Sequence, residues 1–266
     1  MIGAIAGDIF GSVYEAHPIK TKAFPLFHPR CRFTDDSVLT IAVAQAIMTD
    51  GDYRRWVREI GRRYPDAGYG GTFIRWLQAS DAEPYNSWGN GAAMRVSPVG
   101  WALDDPDSVL REAARTAAIS HNHPEGIKGA QAVAMAVFLA RTTRDKALIK
   151  TEIAGRFGYD LDRTVESIRP SYGFDVSCQG TVPEAIIAFL DADFYEDAVR
   201  NAISLGGDSD TLACIAGAIA EAYYGPVAPP IRDKVREILT GDLWSITEQF
   251  RRAYGPADQM ESVEHA

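Results

Sequence analysis

The chain has 266 residues, 46% hydrophobic and 24% charged, enough to bury a sizeable core as one large domain or two small ones. A net charge of −9 excludes a protein that grips nucleic acid through its phosphate backbone, which needs clustered Lys and Arg. Three isolated cysteines (Cys31, Cys178, Cys214) exclude a disulfide framework, and no basic segment precedes an apolar one at the N-terminus, so a reducing, cytoplasmic location is expected.

In chain order, the first predicted element is a Gly-rich helix in which Gly3, Gly7 and Gly11 recur every four residues. That spacing joins helices in membranes, but Asp8 interrupts a run too short to span, so the glycines are expected to admit another helix closely. Glu15 lies just past its end. Thr34-Asp35-Asp36-Ser37 then opens an apolar helix, and Tyr53 to Ile60 repeats apolar residues at helical spacing. Asp105-Pro106-Asp107 starts a further helix, with proline where its missing N–H costs nothing. His123-Pro124-Glu125 and Val182-Pro183-Glu184 are read as starts of the same kind. The longest apolar segment, 130 to 140, is too short to cross a bilayer, so no membrane partner is expected.

A second acidic stretch, Asp208-Ser209-Asp210-Thr211, opens another apolar helix, which Gly225-Pro226 ends. Its small residues Ala213, Gly217 and Ala220 suit the glycines of the first helix, and the two are expected to pack together. Period-two alternation and a βαβ rhythm are both missing. The reading is an all-α fold of roughly a dozen helices in one domain over residues 1–255, with a frayed tail at 256–266.

Each acidic stretch, taken alone, reads as a helix cap, because Asp, Ser and Thr accept orphan N–H groups and suit the positive end of the dipole. Together they read differently. If they meet, Asp35, Asp36, Asp208 and Asp210 share a small volume, with Glu15 nearby. Two carboxylates about 5 Å apart repel by roughly 3 kcal/mol at an effective dielectric of about 20, and a helix terminus offsets only about 1 kcal/mol per group. Divalent cations offset it fully. Oxygen ligands, including the hydroxyls of Thr34 and Thr211, suit Mg²⁺, Mn²⁺ or Ca²⁺ rather than zinc. His121-x-His123 lacks the spacing of a metal motif.

Gly89-Asn90-Gly91 is a backbone device that lets a loop approach a ligand and turn N–H groups toward an anion, or else a plain turn. Trp88 beside it could stack on a base or belong to the core. The loop fits neither a Rossmann nor a P-loop context.

These motifs, in this order, resemble the ADP-ribosylglycohydrolases, the ADP-ribosyl-acceptor hydrolases related to dinitrogenase reductase-activating glycohydrolase. Four segments carry the resemblance: Gly7 to Glu15, Phe33 to Ser37, Ser87 to Arg95, and Gly206 to Thr211. Ser120-His121 and Thr181 to Ala185 add to it. It covers residues 1 to about 254, nearly the whole chain.

The resemblance implies a compact, orthogonally packed multi-helix domain holding two Mg²⁺ or Mn²⁺ ions. It implies Thr34, Asp35, Asp36, Asp208, Asp210 and Thr211 as metal ligands, and Glu15 and Asp36 as catalytic acids. Ser87, Trp88, Gly89, Asn90, Gly91 and His121 are implied to contact the substrate, with Phe174 and Val176 near the adenosine. The expected reaction is hydrolysis of the C1″ glycosidic bond of ADP-ribosylated protein or another ADP-ribose conjugate, with ADP-ribose as product. Two alternatives stay open: an ADP-ribose reader with little activity, and a two-metal phosphohydrolase. Some arginine-directed members carry an acid near the Gly-Asn-Gly loop, where this chain has Ser87.

Overall fold

The computed structural model describes residues 1–255 as fifteen helices with no strand among them. The first group is α1 (Ile2–Gly11), α2 (Asp35–Met48), α3 (Tyr53–Arg63), α4 (Gly71–Gln78) and α5 (Gly91–Met94). Next come α6 (Ser97–Ala102), α7 (Pro106–Ala118), α8 (Pro124–Thr143), α9 (Lys146–Phe157) and α10 (Val165–Ile168). The last are α11 (Cys178–Leu190), α12 (Tyr195–Ser204), α13 (Ser209–Tyr224), α14 (Pro229–Ile238) and α15 (Gly241–Tyr254). The all-α, single-domain expectation holds. The tail at 256–266, read as frayed, lies outside the described residues.

The centre of the fold is a helix pair. All ten residues of α1 are buried, as is nearly all of α13, which also packs against α8, α11 and α12. The glycines explain how two helices come so close. A Cβ on Gly3 would sit 2.5 Å from the Gly217 carbonyl oxygen, and one on Gly7 would overlap the Ala213 carbonyl. The Tyr195 hydroxyl and the Gly3 backbone N–H tie the seam further, donating to the Gly3 carbonyl (2.8 Å) and to Glu221 Oε2 (2.8 Å). Because the opposing atoms are backbone and cannot give way, Gly7→Ala is expected to cost about 1–3 kcal/mol or more. Thermal melting checks this, and an unchanged melting temperature would refute the close-packed seam.

Most predicted helix starts hold. Asp105 accepts from Ser108 N–H at 2.8 Å ahead of Pro106, and His123 Nδ1 accepts from Glu125 N–H at 3.1 Å ahead of Pro124. The start read at Val182-Pro183-Glu184 is corrected. Ser177 caps α11 through Gly180 N–H (3.1 Å), so the helix begins at Cys178 and Pro183 lies inside it. The proline ring leaves the carbonyl of Gln179, four residues back, without its helical donor. Gln179 is exposed, and water can serve that carbonyl. Gly225, at φ 96°, ends α13 in a conformation few other residues adopt. Among the described residues no helix is long and apolar enough to cross a membrane.

Candidate active site

The glycine seam sets the site, because it brings the end of α1 and the N-termini of α2 and α13 to one place. Ser209 Oγ donates to the Gly11 carbonyl at 3.0 Å, locking the start of α13 to the end of α1. On the other side Asp8, fully buried in α1, gathers the start of α2. Its carboxylate accepts from Thr34 N–H (2.9 Å), Thr34 Oγ1 (2.6 Å), Ser37 N–H (3.1 Å) and the Ser37 hydroxyl. Asp8 therefore does the work of an N-cap from another helix. Neither Thr34 nor Asp208, the residues at the two cap positions, makes a side-chain cap bond, so the acidic stretches are not simple caps.

With the α2 cap supplied by Asp8 and no side-chain cap on α13, the acids of the two stretches turn inward. Carboxylate oxygens of Asp8, Asp36 and Asp210 lie within 4.8 Å of one another, and so do those of Glu15, Asp208 and Asp210. Thr34 Oγ1 and Thr211 Oγ1 both approach Asp36 Oδ2, each at 3.4 Å. Asp35 stands at the edge, half-buried, and joins neither close group. Burial, followed by the neighbouring Asp8 and Asp208 charges, pushes Asp35 up to about 8. Burial and the surrounding carboxylates also hold Asp36 and Asp210 well above the ordinary carboxylate range. Glu15 is raised by burial, then by Asp208, with Arg32 opposing.

Asp8 is the site residue that the sequence reading missed. In the sequence it reads only as an interruption of an apolar helix, yet a charge in the middle of such a helix must be paired when the helix is buried. Three of its four acceptor bonds fall on Oδ2 and one on Oδ1, so Asp8 holds the α2 terminus while its carboxylate still lies within 4.8 Å of those of Asp36 and Asp210.

The acid centre forms one end of a cavity of about 610 Å³, and every residue expected from the sequence to bind metal, act catalytically or contact substrate lines it. The Gly-Asn-Gly loop closes onto the acids through Asn90, whose side-chain amide donates to Asp208 Oδ2 (2.7 Å) and Thr181 Oγ1 (3.1 Å). The expected row of free amides is narrower than the loop suggested. Gly89 N–H is taken by Ser87 Oγ (3.1 Å) and Asn90 N–H by the Val176 carbonyl (2.8 Å), leaving that of Gly91. The core reading of Trp88 fails: Trp88, Phe174 and Val176 are 52%, 59% and 52% exposed, three large apolar groups lining one cavity. His121 is buried beside the loop, with Nδ1 2.8 Å from Ser120 Oγ. His123 spends its Nδ1 on the α8 cap, so the two histidines make no metal pair.

The donors fit hard divalent cations. They are all oxygens, and Asp36 Oδ1 is buried without a partner while its neighbours crowd to within 4.8 Å. At that separation two charges repel by about 3 kcal/mol at an effective dielectric of about 20, which a cation between them reverses.

The model of the ADP-ribosylglycohydrolase family matches residues 1–259. The ADP-ribosylhydrolase ARH3 of Mus musculus is 26% identical, over 85% of this chain and 82% of its own. That of Gallus gallus is 28% identical over 86% and 85%, and the uncharacterized protein YegU of Escherichia coli (strain K12) is 27% identical over 74% and 72%. A solved structure described as an ADP-ribosylglycohydrolase-related protein complex superposes with a TM-score of 0.70 over 95% of this chain and 97% of that one; at 23% identity it bears on the fold alone. Nearly the full length is matched by one family, and the solved structure shares the helical fold described above: the chain belongs to the ADP-ribosylglycohydrolase family.

Proposed function

We propose that the protein cleaves the C1″ glycosidic bond of ADP-ribosylated acceptors, protein side chains or other conjugates, and releases ADP-ribose. The observation that carries this reading is that one cavity joins a crowded carboxylate centre to three exposed apolar side chains. Its volume, about 610 Å³, lies in the usual range for a ligand of this size. Thr34, Asp35, Asp36, Asp208, Asp210 and Thr211 are the residues assigned to two divalent cations, Mg²⁺ or Mn²⁺. When bound, such ions neutralise the carboxylates and lower the pKa of water.

The chain's own residues do the rest. Trp88, Phe174 and Val176 offer apolar faces to the nucleoside, and Gly91 N–H and His121 lie where the diphosphate and distal ribose must pass. Asn90 holds Asp208 in place against the repulsion of its neighbours. Glu15, with its proton affinity raised, gives a proton to the departing acceptor atom as the C1″ bond breaks, water supplies the new C1″–O bond, and the proton that water loses returns to Glu15. Asp36 and the other carboxylates stabilise the oxocarbenium character that develops on the ribose.

If Glu15 handles that proton, Glu15→Gln is expected to lower turnover by about 10²–10⁴ while ADP-ribose affinity stays within a few-fold. Trp88→Ala is expected to behave oppositely, weakening ADP-ribose binding by about 1–3 kcal/mol. Single-turnover assays and calorimetry separate the two, and native-like turnover in Glu15→Gln removes it from the mechanism. The function itself is tested by a panel of Arg-, Ser-, Asp/Glu- and nucleic-acid-linked ADP-ribose with Mg²⁺ or Mn²⁺, run beside phosphate esters. Cleavage of the esters alone would make the protein a phosphohydrolase; ADP-ribose binding with no turnover of any substrate would make it a reader.

A further inference from the structure

We infer that Arg95 is a positioning residue which, through Ser120, fixes His121 as an Nε2-protonated hydrogen-bond donor aimed at an acceptor oxygen of the ligand. Arg95 follows α5, below the Gly-Asn-Gly loop, and is completely buried. Its guanidinium can only donate. Nη2 donates to the Thr116 carbonyl at 2.9 Å and to Ser120 Oγ at 3.0 Å. Ser120, also fully buried, has one other neighbour for that oxygen, His121 Nδ1 at 2.8 Å. Because the Arg95 side occupies an acceptor position, the serine's own proton has only Nδ1 to go to. Nδ1 must then offer its lone pair, and the imidazole proton sits on Nε2.

The ring is held in that pose by Tyr85 and Phe73, whose centroids lie 5.7 and 6.4 Å away. Nε2 faces the loop: a Cβ on Gly91 would sit 3.1 Å from it, and one on Gly89 3.6 Å. Nε2–H thus faces the loop that carries the unpartnered Gly91 N–H, and both are donors, complementary to phosphate or ribose oxygen and not to a donor group. Burial, with the Arg95 charge second, drives the histidine well below its usual pKa, which keeps it neutral.

Packing alone does not account for the arginine. Its Nε and Nη1 are buried without any hydrogen-bond partner, a cost that an apolar side chain of similar length avoids.

The inference rests on the cavity taking ADP-ribose, but its first readout needs no ligand. Long-range ¹H–¹⁵N spectra of the whole protein, with the His121 signals identified from His121→Gln, are expected to show a protonated Nε2 and an unprotonated Nδ1. In Ser120→Ala and in Arg95→Met the ring is expected to populate both tautomers. ADP-ribose affinity is expected to weaken about three- to tenfold, the worth of one hydrogen bond. Ser120→Ala removes one oxygen and keeps the test alive if Arg95→Met does not fold. A protonated Nδ1 in the wild type, or an unchanged tautomer and affinity in Ser120→Ala, would overturn the inference. The assigned tautomer in a wild type that binds no ADP-ribose would overturn the proposed ligand and leave the relay standing.

Discussion

Asp36→Asn and Asp210→Asn are each expected to abolish turnover while the protein stays folded. Both side chains sit in the 4.8 Å carboxylate groups, and both are strained by the charges around them. The amide keeps the side chain's shape and one acceptor oxygen, so Thr34 and Thr211 retain a group to approach. It removes a charge, which relieves repulsion in the metal-free state and takes away a cation ligand at once. The expected signature is therefore two-sided. In EDTA the variants melt at or above the wild-type temperature; with Mg²⁺ or Mn²⁺ they gain less than the wild type does. Near-native turnover in both variants would reject the metal assignment.

Stripping the wild-type protein of divalent cations is expected to abolish turnover and to reverse its response to pH. Asp35, Asp36 and Asp210 have folded-state pKa values above the unfolded carboxylate value, with Asp35 at about 8. Between the two values the folded protein binds more protons than the unfolded chain, so its stability falls as pH rises. The metal-free protein is thus expected to melt highest near pH 5 and to lose stability toward pH 8. Cations bind the deprotonated carboxylates, so the stabilisation they add must grow over the same interval. At a hundred times Kd one site contributes about 2.7 kcal/mol, or a melting shift of roughly 5–10 °C for a chain of this size. Melting curves at pH 5 and 8, with EDTA or Mg²⁺, check the sign. A metal-free protein that gained stability from pH 5 to 8 would contradict the crowded-carboxylate picture.

What was legible in the sequence was what short-range physics writes there. Helix periodicity, proline at first turns and the small residues shared by the first helix and the one after Asp210 pointed to the architecture and to the packing of those two helices. What stayed hidden depends on partners distant in the chain. Asp8 looked like a flaw because its four donors lie 26 and 29 residues away. Pro183 looked like a helix start because proline suits a first turn, although Ser177 is itself a preferred cap residue. The residues alone left Trp88 open between core and stacking, because only tertiary structure tells a buried indole from one standing at a cavity mouth. The loop's amides looked free until Val176 was seen to claim one of them.

The seam between α1 and α13 also dictates when this protein can become active. Glu221 Oε2 takes the Gly3 N–H from 218 residues away, and no local contact substitutes for it. At 5–20 residues per second, a ribosome leaves the apolar α1 segment without its partner for roughly ten to forty seconds. The acids of α13 arrive with that partner, so the carboxylate centre exists only once most of the chain has been made. On the proposed function, cation loading waits until most of the chain has been made, and a chain cut short before α13 leaves an apolar first helix without its partner.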